Sequence, residues 1–196
     1  MSSSDAARRG DVLDLSDRLN FERFRAGDHA AFEALFRRYA AALCALAHRY
    51  VGSKAVAEEL TQDLFCWLWD HRVGVAVPGS VRAYLFASLR NRALNHVRHE
   101  RITLEFGDRS VRQNSGATGV DAADAGLLAD DLAAALESAV RSMPLRCREV
   151  FSLVRDDHLS YAEVAEVLGI SPKTVEIHMS RALALLRDQL APWIRP

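Results

Sequence analysis

The sequence predicts an all-α protein, two small helical domains joined by a flexible linker. Three observations predict it. Apolar residues recur at spacings of three and four through most of the chain, and no alternating run of strand length interrupts them. That period fails once at length, from Thr103 to Gly126, in an acidic stretch rich in Gly, Ser, Ala and Asp. Beyond the break, Ser160 to Leu190 reads as a short helix, a glycine turn and a capped second helix, the outline of a helix-turn-helix. The expected divisions are a disordered polar tail over 1–19, a helical domain over 20–102, a linker over 103–126 and a second helical domain over 127–192.

Each element has its own local signals. The first expected helix starts after Gly27 with Asp28 as cap, and carries Phe32, Leu35, Phe36, Tyr39, Leu43, Leu46 and Tyr50 on one stripe. Gly52 stops it and Ser53 caps the next helix, with Val56, Leu60, Leu64, Trp67 and Leu68 inward. Its other side shows Glu58, Glu59, Gln62, Asp63 and Cys66, with Phe65 and Trp69 at the margins, a polar row edged by rings that suits protein docking as well as core. His71 to Gly79 is a loop by its glycines and proline. Ser80 caps a third helix expected to reach about Arg101, buried through Leu85, Phe86, Leu89, Ala93 and Val97. Opposite that stripe Ser88, Asn91, Asn95 and Arg98 line up at spacings of three, four and three, with Arg82, Arg90, Arg92 and Arg101 around them. Amides, a hydroxyl and guanidinium groups on one face suit phosphates and unpaired bases, or else form a solvated charged face.

After the linker, Leu128, Leu132, Leu136 and Val140 make one stripe that ends at Met143-Pro144, and Leu145, Val150, Phe151 and Val154 begin a short helix. Val164, Ala165 and Leu168 then precede Gly169, where a helix stops in the left-handed conformation. Ser171 offers an N-cap hydroxyl, and Pro172 occupies the first helical position, where a missing N–H costs nothing. The last helix buries Val175, Met179, Ala182, Leu183, Leu186 and Leu190. At about 100° per residue, Lys173, Thr174, Ile177, Ser180, Arg181 and Ala184 point away from that stripe, with Glu176 and His178 on its flanks. Cations, hydroxyls, a partner for the thymine methyl and a carboxylate for cytosine N4 are side chains that read base edges in a major groove.

Composition bounds the remaining classes. A net charge of −1 over 196 residues excludes a uniformly basic nucleic-acid binder, so DNA contact must come from local patches. The positive excess lies in residues 21–102, with 12 Lys/Arg against 8 Asp/Glu, whereas 127–196 carry 8 against 10. Cys44, Cys66 and Cys147 lie within helical patterns and read as small buried hydrophobes in a reducing cytoplasm. Cys44 and His48 are four apart, but two ligands do not close a zinc site, so neither metal nor cofactor is implied. No apolar run approaches membrane-spanning length, and the N-terminus lacks the apolar core of a signal peptide. Paired carboxylates and nucleophile–base sets at site-like spacing are missing, which disfavours an enzyme.

Taken together, three stretches resemble RNA polymerase sigma factors of the sigma-70 family, group IV, the extracytoplasmic-function class, in a form similar to its iron-uptake-like branch. AEELTQDLFCWLWDHR (Ala57–Arg72) resembles region 2.2, VRAYLFASLRNRALNHVRHER (Val81–Arg101) resembles regions 2.3 and 2.4, and Met143–Arg187 resembles region 4. The resemblance implies a protein that binds core polymerase and directs promoter-specific initiation. It implies docking on the β′ clamp helices through Glu58, Glu59, Gln62, Asp63 and Phe65, and capture of a flipped −10 base by the loop 71–80 and by Ser88, Asn91, Asn95 and Arg98. It implies duplex reading of the −35 element by Lys173, Thr174, Glu176, Ile177, His178 and Arg181. Where the family often has an acid four residues after the asparagine this chain has Asn95, a departure that bears on the −10 sequence preferred. The implied partners are core RNA polymerase, through the β′ clamp helices and the β flap, promoter DNA, and an anti-sigma factor, soluble or membrane-bound, with no membrane insertion of this chain itself. Two other readings compete: a response-regulator-type helix-turn-helix transcription factor, which needs an α/β receiver before the linker, and a helical adaptor or anti-sigma protein with no DNA role.

Overall fold

Caps and stops written into the sequence set several of the helix ends. The computed structural model describes residues 3–106 and 127–194, with side chains described for 14–103 and 131–193. The chain divides into two units, Met1–Ala117 and Thr118–Pro196. Among the described residues every regular element is a helix, so nothing of an α/β receiver is present there.

The first unit holds α1 (Ser3–Arg25), α2 (His29–Val51), α3 (Lys54–Asp70) and α4 (Val81–Phe106). Asp28 caps α2 by accepting from the amides of Ala30 and Ala31 at 2.9 and 3.2 Å. Gly52 ends α2 at φ 72°, and Ser53 caps α3 through the Val56 amide. α2 is the central helix, packed on α1, α3 and α4. Leu43, Leu46, Leu64, Phe86 and Leu89 are almost wholly buried among these helices. Each such side chain contributes about 1.5–3 kcal/mol relative to exposure.

The expected disordered tail over 1–19 falls largely on α1, which is helical from Ser3. The polar composition there pointed to disorder, but the helix is anchored by contacts distant in sequence. Phe21 and Phe24 are buried, and Phe24 meets Phe32 and Trp69 at ring-centroid distances of 5.5 and 6.1 Å. Asp17 is buried where it accepts the Tyr39 hydroxyl proton and pairs with Arg38 at 3.0 Å. α4 also differs, running past the expected end at Arg101 to Phe106. No glycine or proline interrupts the chain between Ser80 and Gly107, and residues 97–103 are all exposed, so α4 outruns its packing partners. Val97 is therefore exposed, not part of the buried stripe. From residue 107 the expected linker lies outside the described residues.

The second unit holds α5 (Leu127–Ser142), α6 (Leu145–Arg155), α7 (Tyr161–Leu168), α8 (Pro172–Gln189) and the single turn α9 (Ala191–Ile194). Ser160 and Glu163 form a reciprocal capping box on α7, and Gly169 ends it at φ 64°. Ser171 accepts from the Thr174 amide at 3.1 Å, with Pro172 opening α8. α8 packs on α5, α6 and α7, burying Val175, Met179, Ala182 and Leu186 at spacings of four, three and four. Leu183 falls one residue beyond that seam and is exposed, contrary to its expected burial.

Candidate nucleic-acid interface

The α8 surface follows from its seam. Lys173, Glu176, Ile177 and Arg181 are exposed, and Thr174 and His178 are half-buried at the edges. Ile177 is 58% exposed, an isolated apolar side chain on an otherwise polar face. Lys173 Nζ lies 2.7 Å from Glu176, so either must exchange that partner to reach a base or phosphate. Thr174 shares a hydroxyl hydrogen bond with the cap residue Ser171 at 2.8 Å. His178 Nδ1 faces the Cys147 sulfur of α6 at 3.6 Å. All six residues expected to read a duplex thus lie along one edge-to-face strip of α8.

The first unit carries two surfaces. On α4, Asn91, Asn95 and Arg98 are exposed and Ser88 is half-buried, and Arg98 donates to Asn95 Oδ1 at 3.3 Å. Beside them the C-terminal end of α3 and the following loop enclose a cleft of about 460 Å³, lined by Trp67, Asp70, His71, Val73 to Ala76 and Tyr84. Trp67 is exposed and stacks on His71, centroids 4.6 Å apart and planes 15° apart. The Arg92 guanidinium of α4 sits 5.5 Å from the Trp67 ring, which joins the cleft to the α4 face. The loop is held by buried Val75 and by Arg25 of α1, which donates to the Val73 carbonyl at 3.4 Å.

Periodicity placed Trp67 in the core stripe and so missed it as a cleft wall. The signal that could have found it was its position four residues before His71, within stacking reach across one helical turn. Arg90, expected around the charged row, is instead buried and donates to the Tyr50 hydroxyl at 3.2 Å.

On α3, Glu58, Glu59, Gln62 and Asp63 are exposed, as is Cys66. Cys66 thus departs from the buried reading of the three cysteines, and Cys44 is half-buried. Phe65 does not belong to that surface. It is 3% exposed and meets Phe32 and Phe36 edge-on at 6.0 and 4.9 Å, so its ring serves the α2–α3 seam. Thr61 at the 4-residue spacing before it is buried too, which puts the inward face of α3 one residue off the projected one.

Comparison with known proteins gives these surfaces a context. The Sigma-70 region 2 model matches residues 35–102 and the Sigma-70, region 4 model matches 133–186, together well over half of the chain. The chain belongs to the sigma-70 family. It is 29% identical to the RNA polymerase sigma factor CarQ of Myxococcus xanthus over 170 residues, 86% of this chain and 94% of that protein. It is 30% identical to the ECF RNA polymerase sigma factor SigE of Mycolicibacterium smegmatis over 171 residues, 84% of this chain and 65% of that protein. The fold is similar to that of the sigma factor RpoE solved with the anti-sigma factor NepR from Bartonella quintana, with a TM-score of 0.62 and 24% identity, covering 82% of this chain and 96% of that one. The protein is therefore a promoter-directing sigma factor of the extracytoplasmic-function class. The region 2 match runs from within α2 to within α4 and takes in the cleft and the acidic α3 face, and the region 4 match runs from within α5 to within α8 and takes in the helix-turn-helix.

Proposed function

We propose that this sigma factor reads promoters with a division of labour between its two units, 20–102 acting on the −10 element and 127–192 on the −35 element. The observation that carries the reading is the α8 strip, where Lys173, Thr174, Glu176, Ile177, His178 and Arg181 offer donors, an acceptor and a methyl partner on one face of a capped recognition helix. Region 4 then holds duplex DNA. Region 2 takes an extruded base into the Trp67–His71 cleft, with Ser88, Asn91, Asn95 and Arg98 contacting the adjoining single strand. Extruding a base costs a few kcal/mol, offset by stacking of roughly 1–3 kcal/mol per base and by docking on the polymerase. The exposed Glu58, Glu59, Gln62 and Asp63 fit the β′ clamp helices, and region 4 fits the β flap. The stretch over 103–126 tethers the two units, and the work is recognition in the cytoplasm, without covalent chemistry. Because RpoE was solved bound to NepR, an anti-sigma factor is the natural partner that holds this chain inactive.

Premelted templates test the division of labour. Holoenzyme carrying Lys173→Ala with Arg181→Ala is expected to lose initiation on duplex and premelted promoters alike when these depend on the −35 element. Holoenzyme carrying Trp67→Ala is expected to fall about fivefold or more on duplex promoter and to recover on a template premelted at −10. Equal losses for both variants on both templates would contradict the assignment.

A further inference from the structure

One polar contact in the second unit joins its hydrophobic core to the reading strip. Cys147 is 1% exposed and sits among Ala139, Met143, Ala182 and Leu186. A small apolar residue would fill the same space. What distinguishes the thiol is the Nδ1 atom of His178, 3.6 Å from its sulfur and 31 residues away in the chain. His178 lies on α8 between exposed Ile177 and the buried Met179, half in the core and half at the strip. Two ligands do not hold a metal, and no group of three His, Cys, Asp or Glu suited to one occurs among the described residues.

We propose that Cys147 is a positioning residue for −35 recognition, its S–H donating to Nδ1 of His178 and so fixing which ring nitrogen is left to meet the DNA. A neutral imidazole has one donor nitrogen and one acceptor nitrogen. If Nδ1 accepts from the thiol, the proton resides on Nε2, and His178 presents a donor to the groove. A donor selects a base edge rich in acceptors, and guanine offers two in the major groove, N7 and O6. The buried thiol also limits rotation of the ring, since turning it would leave the sulfur's proton without a partner inside an apolar cluster. The inference deepens the −35 reading of α8 given above and rests on His178 being one of its readers.

The test is a double-mutant cycle scored as base preference. Holoenzymes with the native chain, Cys147→Ala, Cys147→Ser, His178→Ala and Cys147→Ala with His178→Ala are assayed on promoters carrying every single-base change in the −35 element. Preference is taken as the ratio between promoters within each protein, which cancels any loss of folded fraction. His178→Ala is expected to reduce discrimination at one base pair about fivefold or more. Cys147→Ala should reduce it at that same pair, Cys147→Ser should retain it through the hydroxyl donor, and the double variant should match His178→Ala. Should Cys147→Ala leave every ratio unchanged, or change ratios equally in the His178→Ala background, the positioning role is overturned while His178 stands as a reader. Should His178→Ala itself change no ratio, the reading of His178 fails and the proposal with it.

Discussion

At the residue scale, the most informative side chains are those whose chemistry is set by neighbours distant in sequence. Asp17 is one. Burial pushes its carboxyl above the ordinary value of 3.8, and this outweighs the Tyr39 hydroxyl and Arg38, which favour the charged form. Burial, and after it the bond to Asp17, push the Tyr39 hydroxyl up. A carboxyl whose folded pKa is raised holds its proton better folded than unfolded, so its contribution to stability is present at low pH and is lost as pH rises through the folded value. Asp17→Asn removes that titration. Between about pH 4 and about pH 7, the stability of the native chain relative to Asp17→Asn should therefore decline, as urea unfolding at the two pH values will read. A relative gain over that interval would contradict the burial of Asp17. None of this was legible in the sequence, where Asp17 stands in a polar run with Asp14 and Arg18 and has no periodic partner. Phe65 carries a related lesson. The helical projection set it at the margin of α3, and only packing against Phe32 and Phe36 decides that it turns inward.

At the element scale, local chemistry was readable because helix ends are local problems. Asp28, Gly52, Ser53, Gly169, Ser171 and Pro172 each occupy the position their residue type favours. Gly169 stands at φ +64° with open space where a Cβ would sit. Gly169→Ala should thus cost only the left-handed backbone penalty, about 1–2 kcal/mol. Ser160→Ala removes half of the capping box and should cost about 1 kcal/mol. Both are checked by thermal unfolding of the full chain. The two sites cap opposite ends of α7 and are scored separately, and a stabilising effect at either would contradict the cap geometry. The Trp67–His71 cleft was less readable. It needs α3, the loop and α4 assembled together, and periodicity describes each helix alone. α1 escaped for the same reason, since its anchors Phe21 and Phe24 find their partners on α2, α3 and α4.

At the scale of the whole molecule, charge and architecture agree. A net charge of −1 gives the free chain little general attraction for DNA, because that attraction grows with the phosphates neutralised. The free protein is therefore expected to bind promoter fragments weakly, and its affinity to rise only in the holoenzyme. Nanomolar, sequence-specific binding by the free chain in a fluorescence titration would contradict this. Two helical units, one matching region 2 and the other region 4, fit the proposed reading of two promoter elements. The measurement that tests this most directly is run-off transcription by purified core polymerase, with and without this chain, on genomic fragments, followed by start-site mapping. The account predicts start sites that appear only with the chain present and share two spaced sequence elements, the upstream one lost with Arg181→Ala and the downstream one with Asn95→Ala. Start sites unchanged from core polymerase alone, or sites sharing no such pair of elements, would contradict it.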